Sequence, residues 1–76
     1  MFMQSDSFEA DYYKGWLVLT DKTITKNYCI QLKDTATGRN ITRKHFREAI
    51  ELVGFDKACN TFKKLSVEAV KERLNQ

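Results

Sequence analysis

The chain has no proline, three glycines, two cysteines and one histidine among its 76 residues. With no proline-rich, low-complexity or repeated stretch there is no linker signature, so residues 1–76 read as one domain, residues 1–7 being expected as a flexible N-terminal tail. Nothing approaches the ~18 consecutive apolar residues of a membrane span, which argues against a membrane partner. Met1-Phe2-Met3-Gln4-Ser5-Asp6 lacks both the basic start and the apolar run of a secretory signal. Cys29 and Cys59 stand thirty positions apart with no C-x-x-C spacing, whereas small secreted folds need several bridges. A reducing, cytoplasmic setting is therefore expected, with both thiols packed as small apolar groups. With His45 as the single histidine, Cys and His alone assemble no four-ligand zinc set.

No paired catalytic groups and no phosphate-binding loop appear, so neither an enzyme activity nor a cofactor is expected. Size points the same way. A chain this short buries only about 60–65% of its unfolded surface, which makes a shielded pocket hard to build and a flat or convex binding surface easy. An apolar share of 42% and nine aromatics nevertheless suffice for a globular core.

Charge is unevenly spread. Residues 1–21 hold Asp6, Glu9, Asp11 and Asp21 against Lys14 alone, a net of −3. Residues 22–76 hold twelve Lys/Arg against six Asp/Glu, a net of +6. An excess of that size suits a nucleic-acid partner, although ordinary solvated surfaces reach it too.

Alternation and turn residues outline the elements. Tyr13 to Thr20 reads as a first strand, with Trp16-Leu17-Val18-Leu19 apolar on both faces. A second strand is expected over Thr25–Lys33, where Tyr28, Ile30 and Leu32 alternate with Cys29, Gln31 and Lys33. Asp34-Thr35-Ala36-Thr37-Gly38 reads as a hairpin turn leading to a short third strand, Arg39–Ile41. Thr42 is placed as the N-cap of a helix over Arg43–Val53, whose stripe is Phe46, Ala49, Ile50 and Val53 and whose stop is Gly54. Asp56 is expected to cap a second helix, Lys57–Lys64, and Ser66 a third, Val67–Leu74. The class is α+β in the order β-β-β-α-α-α, a small antiparallel sheet covered by helices. Its core is expected to hold Trp16, Val18, Tyr28, Ile30, Leu32 and Phe46, with Ile50, Val53, Phe62, Val70 and Leu74. A helix-turn-helix over Arg47–Lys63 fits poorly, because the core position of its second helix is the polar Asn60.

The candidate site is the cationic run at the hairpin–helix junction: Arg39, Arg43, Lys44, His45 and Arg47. A helix N-terminus already carries partial positive charge, so cations in its first turn oppose the macrodipole, each by a few tenths of a kcal/mol. An anion docked there turns that conflict into an attraction, and phosphate matches both the free N–H groups and the guanidiniums. Aromatics in the N-terminal part (Phe8, Tyr12, Tyr13, Trp16) suit either a core or base stacking. The expected function is a small basic binding module for nucleic acid. The alternative is a protein-interaction module, an inhibitor or regulatory adaptor of the kind mobile elements encode, docking through its charged surfaces on an acidic patch of a larger protein.

Overall fold

In the computed structural model, residues 2–33, 37–39 and 41–66 are described. The sheet has four antiparallel strands in chain order: β1 (Met3–Gln4), β2 (Phe8–Tyr13), β3 (Trp16–Asp21) and β4 (Lys26–Gln31). Among the described residues two helices follow, α1 (Ile41–Val53) and α2 (Phe55–Phe62), and a short 3-10 turn spans Lys63–Leu65. The α+β class and the antiparallel sheet match the expectation from sequence. The strand count, the boundaries and part of the core differ.

The expected first strand is the second half of a hairpin. Tyr13 pairs with Trp16, and Lys14 and Gly15 between them both take positive φ, 49° and 83°. Two residues of positive φ match the right-handed twist of the flanking strands. Glycine adopts that geometry freely; lysine rarely does, so Lys14 gave no turn signal in the sequence. The partner strand, Phe-Glu-Ala-Asp-Tyr-Tyr, alternates correctly but is rich in residues of low strand propensity.

Residues expected as a tail contribute β1 instead. Met3 pairs with Ala10 and Gln4 with Glu9. Lys22, in the β3–β4 loop, holds this edge by donating to Gln4 Oε1 (3.1 Å) and to the Ser5 carbonyl (2.8 Å). The Ser5 hydroxyl accepts from the N–H groups of Ser7 (3.3 Å) and Phe8 (3.2 Å) and donates to the Asp56 carboxylate. Asp56, expected as a helix cap, thus sits in the first turn of α2 and ties that turn to the β1–β2 connection.

Register decides which side chains are covered. Leu17 lies opposite Ile30 and Leu19 opposite Tyr28, so these share the helix-covered face with Phe8 and Ala10. Phe46 from α1 and Ala58, Cys59 and Phe62 from α2 complete the core. Ile30, Leu32, Phe46 and Phe62 are buried as expected, and Tyr28 and Ile50 pack partly buried against them. Trp16 and Val18 belong to the opposite face, half-buried, alongside a Cys29 that is only 1% exposed and paired with Val18. A strand apolar on both faces carries no information about which face is inward; only its register with β4 supplies that.

Of the third expected strand, Arg39–Ile41, and the turn before it, residues 34–36 and 40 lie outside the described residues, and the described Arg39 is in no strand. Ile41 already begins α1, and Thr42 is not its N-cap. The Thr42 hydroxyl donates instead to the Gln31 carbonyl at 2.7 Å, and its N–H donates to Leu32 O at 3.3 Å, fastening the helix start to the exit of β4. Gly54 alone joins α1 to α2. Its N–H bonds Ile50 O at 2.9 Å and its carbonyl accepts from Ala58 N–H at 3.0 Å. With φ 89° and ψ 164° it turns the chain so sharply that Val53, expected in the core, is 52% exposed. A one-residue link is also shorter than the turn of a helix-turn-helix, and Asn60 lies exposed. The expected helix Val67–Leu74, with Val70 and Leu74, lies outside the described residues.

Candidate functional site

One end of the sheet gathers the candidate cations. Leu32 N–H donates to Gly15 O at 3.0 Å, and Thr42 binds Gln31 and Leu32, so the β2–β3 turn, the exit of β4 and the first turn of α1 meet there. Lys14 in that turn and Lys33 just after β4 bring two ammonium groups to this end that the sequence had not grouped with the site. Arg39 is exposed two residues ahead of α1; its N–H bonds Thr37 Oγ1 at 3.3 Å and its carbonyl accepts from Ile41 N–H at 2.9 Å. Arg43, Lys44, His45 and Arg47 all lie exposed on α1, and no acidic residue occupies that helix's first turn.

Within this group the structure brings Arg43 and Arg47 together around Tyr12. The Arg43 guanidinium lies over the Tyr12 ring, 3.9 Å from its centroid. Phe2 stacks on the same ring at 4.5 Å, with the planes 3° apart. Two groups that close take opposite faces of the ring, so Phe2, Tyr12 and Arg43 form a column. Its Phe2 end is anchored edge-on to Phe46, at 6.3 Å and 88°. Burial pushes the Tyr12 phenol above its ordinary value, and the nearby charges of Arg43 and then Arg47 oppose that push. Tyr12 stood among the N-terminal aromatics that sequence offered for a core or for stacking, but its contacts with Phe2 and Arg43, across ten and thirty-one positions, leave no local pattern.

The other two members on α1 are less convergent. Lys44 pairs with Glu48 one turn on at 4.0 Å, with both side chains largely in water, an interaction of little energetic weight. His45 sits between them in sequence on the exposed side of α1.

A second polar cluster lies at the far end of β3. Asp21 is buried and accepts from Thr23 Oγ1 (2.5 Å) and Thr23 N–H (3.0 Å), with Lys63 Nζ at 3.5 Å. These bonds, the Thr23 hydroxyl first, hold its carboxyl below the ordinary value although burial acts the other way. Lys63 also stands over the rings of Phe8 and Tyr28, each at 5.7 Å. Every donor here has a structural partner, so the cluster reads as a clamp joining the sheet to the end of α2.

Cys29 and Cys59 are both free and buried. Burial, reinforced by Asp56, pushes the Cys59 thiol up to about 12, and burial raises Cys29 as well. Neither environment makes a nucleophilic thiolate. Among the described residues no three His, Cys, Asp or Glu side chains gather to hold a metal ion, and no helix is long and apolar enough to cross a membrane. The chain matches no protein-family model, no curated protein and no solved structure.

Proposed function

We propose that the chain is a nucleic-acid-binding module whose phosphate contacts come from Arg43 and Arg47, supported by Arg39, Lys44 and His45. The observation that carries this reading is the Arg43 guanidinium held over the Tyr12 ring, its central carbon 3.9 Å from the ring centroid. A guanidinium stacked on a ring keeps its N–H donors in its own plane, pointing outward at the rim. Its side chain is ordered before any ligand arrives, so less rotamer freedom is lost on binding a phosphate bidentately. Arg47 stands one turn along the same helix, and Lys14 and Lys33 extend the positive end of the molecule. The work is binding rather than catalysis, and no cofactor takes part.

A protein partner is the second reading. It is favoured by the sheet face opposite the helices, where Tyr13 is exposed and Trp16 half-buried and where Asp11 and, farther along β2, Glu9 share that face. Aromatic and acidic groups together suit a basic surface on another protein.

Salt titration of binding to duplex DNA, single-stranded DNA and RNA separates the two. Phosphate contacts give a log–log slope of roughly −0.9 per contact on duplex and about −0.7 on single strands. The double substitution Arg43→Glu, Arg47→Glu should abolish binding without unfolding the chain, because both side chains lie outside the core. Absence of binding to all three at low salt, with a stoichiometric protein recovered from a nuclease-treated lysate, would transfer the same arginines to the protein-interaction reading.

A further inference from the structure

Phe2 lies at the end of the Phe2–Tyr12–Arg43 column, its ring parallel to Tyr12 within 3° and its side chain 41% exposed. Ordering an exposed aromatic next to a two-residue, exposed edge strand costs conformational freedom that its ring has to offset through other contacts. Here it is fixed twice, face-on to Tyr12 and edge-on to Phe46, and the backbone before β1 is held by Phe2 N–H donating to Ala10 O at 3.1 Å. A flat, immobilised ring at one end of a column whose other end is the Arg43 guanidinium has the two components used to hold single strands: a stacking surface for a base and, beyond Tyr12, a cation for the backbone that follows it. From these we infer that Phe2 is a stacking platform for an unpaired base, which makes the ligand a single-stranded nucleic acid lying across the edge of β1 toward Arg43 and Arg47.

This inference rests on the phosphate reading above and narrows it. In a duplex each base face is covered by its neighbours, so a ring held in a side-chain column meets a base only where the base is unpaired. Tyr12 itself is closed to a base, because Phe2 and Arg43 occupy its two faces. Phe2, 41% exposed, is the ring of the column left to a base. Stacking of this kind is tolerant of sequence, since every base presents a π-face.

The test uses fluorescein-labelled oligothymidylate, the matching RNA and a duplex of equal length, with fluorescence anisotropy on the full chain. Phe2→Leu keeps an apolar side chain against Phe46 but removes the ring, whereas Phe2→Trp enlarges it. The Leu variant should bind the single strands roughly 5- to 100-fold more weakly, and the Trp variant at least as well as the parent. Neither should alter the salt slope, because no phosphate contact changes, and duplex binding should stay where it was. In Phe2→Trp, fluorescence at position 2 should be quenched on saturation with oligothymidylate, against the parent's Trp16 signal from the opposite face of the sheet. That readout holds even if the Leu variant folds poorly. Equal single-strand affinities for Leu and Trp variants, an equal loss on duplex, or no added quenching would overturn the platform. If Arg43→Glu, Arg47→Glu then still abolishes binding, the phosphate reading survives without it. Failure of the parent chain to bind any of the three probes removes both.

Discussion

Replacing Gly54 tests the corner on which α1 and α2 turn. At φ 89° and ψ 164° the backbone lies in a region that only glycine populates readily, distinct from the left-handed helical region of an ordinary helix stop. A Cβ built there meets nothing within 4 Å, so the penalty is conformational and not steric. Such strain amounts to about 1–3 kcal/mol, offset by roughly 0.4–1 kcal/mol because alanine also restricts the unfolded chain. Gly54→Ala should therefore destabilise by about 1–2 kcal/mol, which lowers Tm by roughly 4–16 °C for a domain of this size. Urea denaturation followed by circular dichroism should show an earlier midpoint with an unchanged slope. Gly54→Asn sharpens the test. Asparagine tolerates the left-handed helical region, as at common helix stops, but gains nothing at a ψ near 164°. An alanine variant within about 0.5 kcal/mol of the parent, or an asparagine variant that recovers most of the loss, would refute this account of the corner.

Further outcomes follow from the core and the titrating groups. Phe46→Ala, at a fully buried position touching Phe2, Phe55 and Phe62, should cost about 3–5 kcal/mol and leave the chain largely unfolded by circular dichroism, whereas Val53→Ala should stay within about 0.5 kcal/mol. Asp21 stabilises the fold fully above its unfolded value of 3.8 and loses that contribution as pH falls through its lower folded value. Asp21→Asn should accordingly flatten the acid limb of a stability–pH profile; superposable acid limbs would contradict the role of Thr23 and Lys63. With Cys59 raised to about 12 and Cys29 also raised, iodoacetamide at mildly alkaline pH should modify neither in the native protein and both in denaturant, as mass spectrometry can read.

What the sequence made legible was periodic. The stripe of Phe46, Ala49 and Ile50 located α1 to within two residues at its start, and Ala58, Cys59 and Phe62 located α2 similarly. The alternation over Tyr28–Leu32 marked β4. What it hid depended on single residues acting against type or on distant partners. Lys14 at positive φ concealed a hairpin, and Thr42, suited to capping, spends its hydroxyl on Gln31 instead. Val53 continues the stripe by spacing but is carried outward by the turn at Gly54. The cations of α1 were visible as a run, yet the stack that orders Arg43 joins residues 2, 12 and 43, which only the folded sheet brings together.

Because strand order equals chain order, every pairing in the sheet is between neighbours in sequence. The meander can therefore assemble progressively as it leaves the ribosome, with short loops to close and no distant strand to await. Its burial follows a different schedule. Phe8, Ala10, Leu17, Leu19 and Ile30 line a face whose cover, Phe46, Ala58 and Phe62, is synthesised later. At about 5–20 residues per second the finished sheet stands bare for a few seconds of synthesis. During that interval, it is the apolar inner face rather than the basic end that a nascent-chain chaperone would meet.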